Sequence, residues 1–206
     1  MDTKAILSIL SGMTRRMEEE RDYLTELDNI IADGDHGINM ARGFTALEQK
    51  LASFGDKDIG TVLKTAGMTL VSAVGGSAGP LYGTAFMKAG MVMANKSTMD
   101  MADFLVCMKA AVDGVMMRGR AVQGEKTMLD AMIPALQAME KAASDGFSAK
   151  AVVEAGVEAA KNGVEYTKTI PATKGRASYI GERSIGHQDP GATSFTYLLD
   201  VVAKAL

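Results

Sequence analysis

The sequence is poor in the residues that carry several common chemistries. It has one cysteine, Cys107, so an intrachain disulfide framework and zinc sites built from several cysteines are excluded. Two histidines, His36 and His187, leave little room for histidine-based metal chemistry. There is no tryptophan and aromatic residues make up 5%, too few for an ordinary sandwich or barrel of strands. Basic residues number 22 against 25 acidic ones, for a net charge of −3. That balance argues against a broad basic surface for duplex nucleic acid. No run of about 18 apolar residues occurs, so no membrane span is expected. The first residues carry no secretory pattern, because charge follows a short apolar stretch at once. With a single thiol and no export signal, the cytoplasm is the expected compartment.

What remains leans strongly to helix. The chain is 47% hydrophobic and 23% charged, which is globular composition and excludes disorder over most of its length. Sixteen methionines, many alanines and only four prolines stand in 206 residues. Apolar residues recur at the 3.6-residue period of an amphipathic helix. Ile6, Ile9, Leu10, Met13, Met17, Leu24 and Leu27 predict one long first helix. Met40, Phe44, Leu47 and Leu51 predict a second. Asp56 offers an N-cap to a third, carried by Ile59, Val62, Leu63, Ala66 and Leu70. A fourth stripe begins at Tyr82, a fifth at Met101, and a sixth at Leu129 with Pro134 inside it. Ser148 caps a seventh, and Asp189 and Pro190 suit the N-cap and first turn of an eighth. The expectation is an all-α antiparallel eight-helix barrel or bundle. No linker divides it, so residues 1–206 read as a single domain.

Three connections break the pattern. Residues 28–39, DNIIADGDHGIN, place Asp28, Asp33 and Asp35 close in sequence around Gly34. A glycine turn can aim all three carboxylates at one point. Such a trio repels itself unless a cation sits among it, and oxygen-only ligands suit Mg2+ or Ca2+. The plainer reading is a polar turn with Asp28 exposed. An EF-hand fits poorly, because Gly37 falls where a further oxygen ligand is needed. His36, Gly37, Ile38 and Asn39 then open a helix whose free amides attract anions. Alternatively, His36 is a turn histidine on a backbone carbonyl.

Residues 75–83, GGSAGPLYG, either cradle phosphate or pass two helices close together. Their spacing is not a dinucleotide fingerprint. Gly119, Gly124, Lys126 and Thr127 approach a P-loop, but Glu125 is inserted before the lysine and no strand precedes it, so that reading is discarded. Residues 171–194 form a long loop with Lys174, Arg176 and Arg183 among small residues. It is suited to phosphate, or is simply a solvated basic loop. Met128 reads as core, or as a flat contact to a nucleobase.

Four segments, DGDHGINMARGF, GGSAGPLYGTAF, GEKTMLDA and KGRASYIGERSIGHQDPGATS, closely resemble the nucleotide-binding L subunits of dihydroxyacetone kinase. The resemblance runs over essentially the whole chain, nearest to the stand-alone, phosphoenolpyruvate-dependent type. It implies an eight-helix barrel with ADP or ATP at one end and two Mg2+ ions on Asp28, Asp33 and Asp35. By motif position, His36, Gly37, Ile38, Asn39, Ser77 and Ala78 hold phosphates. Arg176 reaches the phosphate end and is the candidate catalytic cation. Gly119, Met128, Asp189, Pro190 and Gly191 frame the adenosine. The resemblance implies two partner subunits, a phosphocarrier, DhaM, that rephosphorylates bound ADP and a substrate subunit, DhaK, that holds dihydroxyacetone. No general base is assigned to this chain. Alternatives are another short ketose such as erythrulose, a nucleotide-state sensor binding a transcription regulator, or a purely structural helical module.

Overall fold

A computed structural model describes residues 1–55 and 57–206. Among the described residues there are nine α-helices and no strand. They are α1 (Thr3–Glu19), α2 (Arg21–Ile31), α3 (His36–Leu51), α4 (Ile59–Ala73), α5 (Ala78–Val92), α6 (Met101–Gly119), α7 (Leu129–Ser144), α8 (Ala149–Thr167) and α9 (Pro190–Lys204). Two short 3-10 turns, Arg176–Tyr179 and Gly181–Ser184, lie between α8 and α9.

Eight of the helices close a ring. Each of α3 to α9 packs on the next, α9 packs on α1, and α1 packs on α3. Neighbours are antiparallel. Gly60 of α4 meets Gly90 of α5 while Gly67 meets Gly83. Gly12 of α1 meets Val201 of α9 while Arg16 meets Tyr197. The α4–α5 approach is a backbone contact. A Cβ on Gly67 would lie 2.6 Å from the Gly83 carbonyl, so no larger residue fits there without the helices parting. The ring interior is apolar and rich in methionine, with Met13, Met99, Met128 and Met132 buried around a cavity of about 140 Å³. Flexible methionine fills such irregular space well.

The ring has the eight predicted members, but the first predicted helix is two. The chain departs from helix at Glu20 (φ −93°, ψ 5°). Helix α2 then leaves the ring to pack on α3 and α9. Neither glycine nor proline marks the break. Met17 and Leu24 are seven residues apart and stay in phase on one stripe, so periodicity could not show it. What holds α2 in its new direction is tertiary. Gly37 admits the Arg21 carbonyl so closely that a Cβ there would lie 2.0 Å from it.

The predicted cap Asp56 lies outside the described residues. Helix α4 is capped by Asp58, which accepts from Thr61 N at 3.0 Å. The caps at Ser148 and Asp189 form as predicted, and Pro190 takes the first turn of α9. No described helix is long and apolar enough to cross a membrane.

Candidate functional site

Because neighbours alternate in direction, α3, α5, α7 and α9 all begin at one end of the ring. The connections before them enclose a cavity of about 500 Å³. Its acidic wall is organised by Asp28, in the last turn of α2. Asp28 is buried, not exposed as the plain turn reading has it. Its Oδ2 accepts from Asp35 N at 2.9 Å and His36 N at 3.2 Å. Gly34 turns the chain at φ +72°, and this brings carboxylate oxygens of Asp28, Asp33 and Asp35 within 4.8 Å of one another. Burial pushes the Asp28 carboxyl above its ordinary range; its two amide bonds pull it down, and the Asp33 and Asp35 charges raise it further. One cation already reaches this group: Arg176 Nε lies 3.1 Å from Asp33 Oδ2. The donor set is all oxygen, hard and concentrated in charge, which fits a small divalent cation.

The helix ends around this cavity differ from those at the other end of the ring. There, Asp2, Asp58, Asp100 and Ser148 each cap their helix through the side chain. At the cavity, the N-cap positions of α3, α5 and α7 are Asp35, Ser77 and Met128, and none makes a side-chain cap bond. Ser77 could cap α5 but does not. First-turn amides of α5, and of α3 beyond His36, are therefore left without a side-chain cap at the positive ends of their helix dipoles, whereas in α7 Leu129 N donates to Thr127 Oγ1 at 3.2 Å and Asp130 N to the Thr127 carbonyl at 3.0 Å. Only Asp189 caps its helix there, accepting from Ala192 N at 2.6 Å.

The glycine-rich segment divides in two. Gly75 and Gly76 form the turn lining the cavity, and Gly76 stands at φ +61°. A Cβ on Gly75 would press to 2.6 Å from Asn39 Oδ1. Gly79 and Gly83 lie inside α5 and serve helix packing. A phosphate cradle here would extend no further than Ala78, where the helix begins. Asn39 is buried and its Oδ1 accepts from Arg42 at 2.7 Å. His36 bonds no backbone carbonyl. Its Nε2 lies 2.9 Å from Ser194 Oγ, which lies 2.7 Å from the buried Tyr82 hydroxyl. Desolvation pulls His36 down to about 4, so its ring is neutral at pH 7. Burial likewise pushes the Tyr82 phenol up.

The opposite wall is apolar, formed by Leu81, Val115, Ala121 and Met128 with Gly119, Pro190 and Gly191. Asp189 stands at its base, buried, and desolvation raises it to about 7. Helix α9 begins at Pro190, as its cap signal predicts, so residues 190–194 of the 171–194 segment belong to that helix and the connection itself ends at Asp189. Of the predicted residues, Gly37 and Ile38 do not line the cavity. Gly37 is packed under α2 and Ile38 points to solvent at 50% exposure; each can offer only its first-turn amide.

Sequence reasoning missed two residues here. Lys126 is buried in the lining of the cavity. Asp130 is buried and accepts from Gly124 N at 2.5 Å and Thr127 N at 2.8 Å. The segment GEKTMLDA held both, but its only local signal was the failed P-loop spacing.

The structure is a closed ring of antiparallel helices with a carboxylate-walled pocket at one end, and comparisons with known proteins identify its family. The DAK2 domain family matches residues 30–204. The chain is 44% identical over 186 residues to the PEP-dependent dihydroxyacetone kinase, ADP-binding subunit DhaL, of Escherichia coli (strain K12), covering 90% of this chain and 89% of that one. It is 36% identical over 197 residues to the PTS-dependent counterpart of Lactococcus lactis, covering 96% and 94%. A crystal structure of the dihydroxyacetone kinase from C. freundii in complex with AMP-PNP and Mg2+ shares the fold, with a TM-score of 0.77 at 22% identity. That match covers all of this chain and 34% of the other. The chain belongs to the DAK2 domain family, among the L subunits of dihydroxyacetone kinase, and is thus a phosphotransferase subunit.

Proposed function

We propose that residues 1–206 act as one ADP/ATP-binding unit that relays a phosphoryl group. In this reading ADP stays bound and is phosphorylated in place by a phosphocarrier subunit, DhaM. The γ-phosphate then passes to dihydroxyacetone held on a separate subunit, DhaK. The observation that carries the reading is the convergence on one cavity of three carboxylates and two helix N-termini, those of α3 and α5, without side-chain caps. Its volume, about 500 Å³, is in the range of small-molecule sites. Dihydroxyacetone is preferred to a four-carbon ketose for a specific reason. The chain covers nearly the whole of the dihydroxyacetone-linked L subunits. It spans 35% of the L-erythrulose 1-kinase of Mycolicibacterium smegmatis, at 32% identity.

Asp28, Asp33 and Asp35 would hold magnesium, two ions in this reading. When bound, the metal supplies charge neutralisation and an in-line template for the phosphoryl group. The chain's own groups do the rest. Asp28 holds the acidic turn closed through the Asp35 and His36 amides. First-turn amides of α3 and α5, including those of Gly37, Ile38 and Ala78, and the Ser77 hydroxyl receive phosphate oxygens. Asn39, fixed by Arg42, shapes the same wall. Arg176, paired with Asp33 at 61% side-chain exposure, adds positive charge where it develops during transfer. Gly119, Met128, Asp189, Pro190 and Gly191 form a slot for the base and sugar. Neutral His36 acts as a positioning residue through Ser194. The acceptor hydroxyl lies on the partner, so no general base is required of this chain.

The test is equilibrium dialysis of ADP against the EDTA-stripped chain, with and without Mg2+. Tight, magnesium-dependent ADP retention is expected. Failure to bind ADP with magnesium present would overturn the reading.

A further inference from the structure

One buried cation is left unused by this scheme. Lys126 is 1% exposed, and its ammonium pairs with no carboxylate among the described salt bridges. Instead, Nζ donates to three backbone carbonyls, those of Thr167 at 2.5 Å, Ile170 at 3.2 Å and His187 at 2.5 Å. An ammonium has three donors, so all are used. The acceptors come from distant chain positions. Thr167 is the last residue of α8, whose carbonyl end favours a cation. Ile170 and His187 bound the long connection on either side.

That connection is a strap over the cavity, and its other fastenings are weaker or local. Gly186 N donates to the Lys168 carbonyl at 2.7 Å and Thr173 N to that of Glu125 at 3.3 Å. Within the strap, Ser184 Oγ accepts from Ala172 N at 2.8 Å. A small apolar cluster of Ala172, Ala177 and Ile31 seats it on α2. Its charged fastenings among the described residues are two pairs with exposed strap side chains, Arg176–Asp33 at 3.1 Å and a long Lys174–Glu125 contact at 3.9 Å. Immediately beyond it, Asp189 N donates to Thr167 Oγ1 at 2.9 Å, so the α9 cap hangs from the same point.

We infer that Lys126 is a positioning residue that clasps both ends of the strap carrying Arg176, and thereby sets how long a nucleotide is retained. The retention half rests on the proposed nucleotide site; the clasp does not. The residue type suits the task. A compact three-donor point charge meets three converging carbonyls, whereas the planar guanidinium fork of arginine does not. Methionine fills the volume but leaves three buried carbonyls unpaired. Asp189 and Asp130 lie near enough to support the ammonium charge against the burial that opposes it.

The test compares wild type with Lys126→Met, Lys126→Arg and Val153→Ala, a buried truncation on α8 remote from the strap. Amide hydrogen exchange is followed in the nucleotide-free chain, and dissociation of a fluorescent ADP (mant-ADP) is followed with Mg2+. In Lys126→Met, amides of residues 170–187 should lose at least about tenfold in protection, while those of α4 and α5 keep theirs. Mant-ADP should leave at least about tenfold faster, and Lys126→Arg should recover only part of both effects. Wild-type strap protection in Lys126→Met, or equal strap loosening in Val153→Ala, would overturn the clasp. Should Lys126→Met not fold, wild-type protein decides by NMR. A slowly exchanging Lys126 ammonium signal coupled to the three carbonyls supports the clasp, and a freely exchanging one refutes it. Wild type that binds no mant-ADP refutes the nucleotide reading, while the exchange data still decide the clasp.

Discussion

Asp35→Asn should make the metal-free chain more stable and the nucleotide-loaded chain less stable. Carboxylate oxygens of Asp28, Asp33 and Asp35 lie within 4.8 Å. At that separation two charges repel by about 3.5 kcal/mol at an effective dielectric constant near 20, and by about 0.9 kcal/mol in water. Asp33 is exposed and faces Arg176, so its share falls at the lower limit. Relief of the Asp28–Asp35 repulsion should dominate, and a net gain of about 1 kcal/mol follows. For a chain of this size that corresponds to a rise in Tm of about 2 to 4 °C. Asparagine preserves the shape and the Asp35 amide bond to Asp28, so the turn itself is retained. Magnesium with ADP reverses the order. At a ligand concentration of about 100 Kd, wild type gains about 2.7 kcal/mol, or about 5 to 10 °C, which the variant forfeits. Thermal melts at pH 8 in EDTA, then in Mg2+ with ADP, read both effects. The reasoning is refuted if Asp35→Asn melts below wild type in EDTA and shifts as far as wild type with Mg2+ and ADP.

Arg176→Ala should leave stability within about 1 kcal/mol, because an exposed ion pair contributes little. Its single-turnover transfer to dihydroxyacetone should fall about 100-fold, with Arg176→Lys recovering part; equal rates would remove Arg176 from the site. Asp189→Asn tests the buried carboxylate. Its folded value, about 7, exceeds the unfolded one, so its contribution is fully present below about pH 4 and is lost as pH rises through 7. Asparagine still caps α9, so the variant should gain on wild type between pH 5 and 8. The limit is about 4 kcal/mol, set by some three pKa units. A constant difference in nucleotide-free Tm across that range would contradict the assignment. Asp33→Ala should retain helix content by circular dichroism yet lose magnesium-dependent ADP binding in dialysis.

The ring was legible because its helices are amphipathic and most ends carry standard caps. Ser148, Asp189 and Pro190 were readable from local chemistry alone. The acidic trio and Arg176 were legible as candidates, since carboxylates around Gly34 and arginine in a glycine-rich loop are local signals. Their meeting was not. Arg176 reaches Asp33 from the other end of the chain. The same distance hid Tyr82, Ser194 and His36, whose contacts span 112 and 158 residues. Lys126 was hidden for a further reason. Its partners are main-chain carbonyls, which leave no trace in side-chain identity. Gly79 and Gly83 misled in the opposite sense, since a glycine that lets helices touch looks in sequence like one that admits phosphate. Ser77 shows the limit of cap rules, because a serine in the right place leaves its helix end open.

The most direct test follows a label through the complete system. The chain is loaded with unlabelled ADP and mixed with phosphorylated phosphocarrier subunit, 32P-labelled, and with the dihydroxyacetone-holding subunit. Rapid-quench sampling then separates chain-bound nucleotide from sugar. The account requires label to appear first on nucleotide that remains bound to this chain, and then, with matching loss, on dihydroxyacetone. Label reaching the sugar without passing through chain-bound nucleotide, or at the same rate in the absence of this chain, would contradict it.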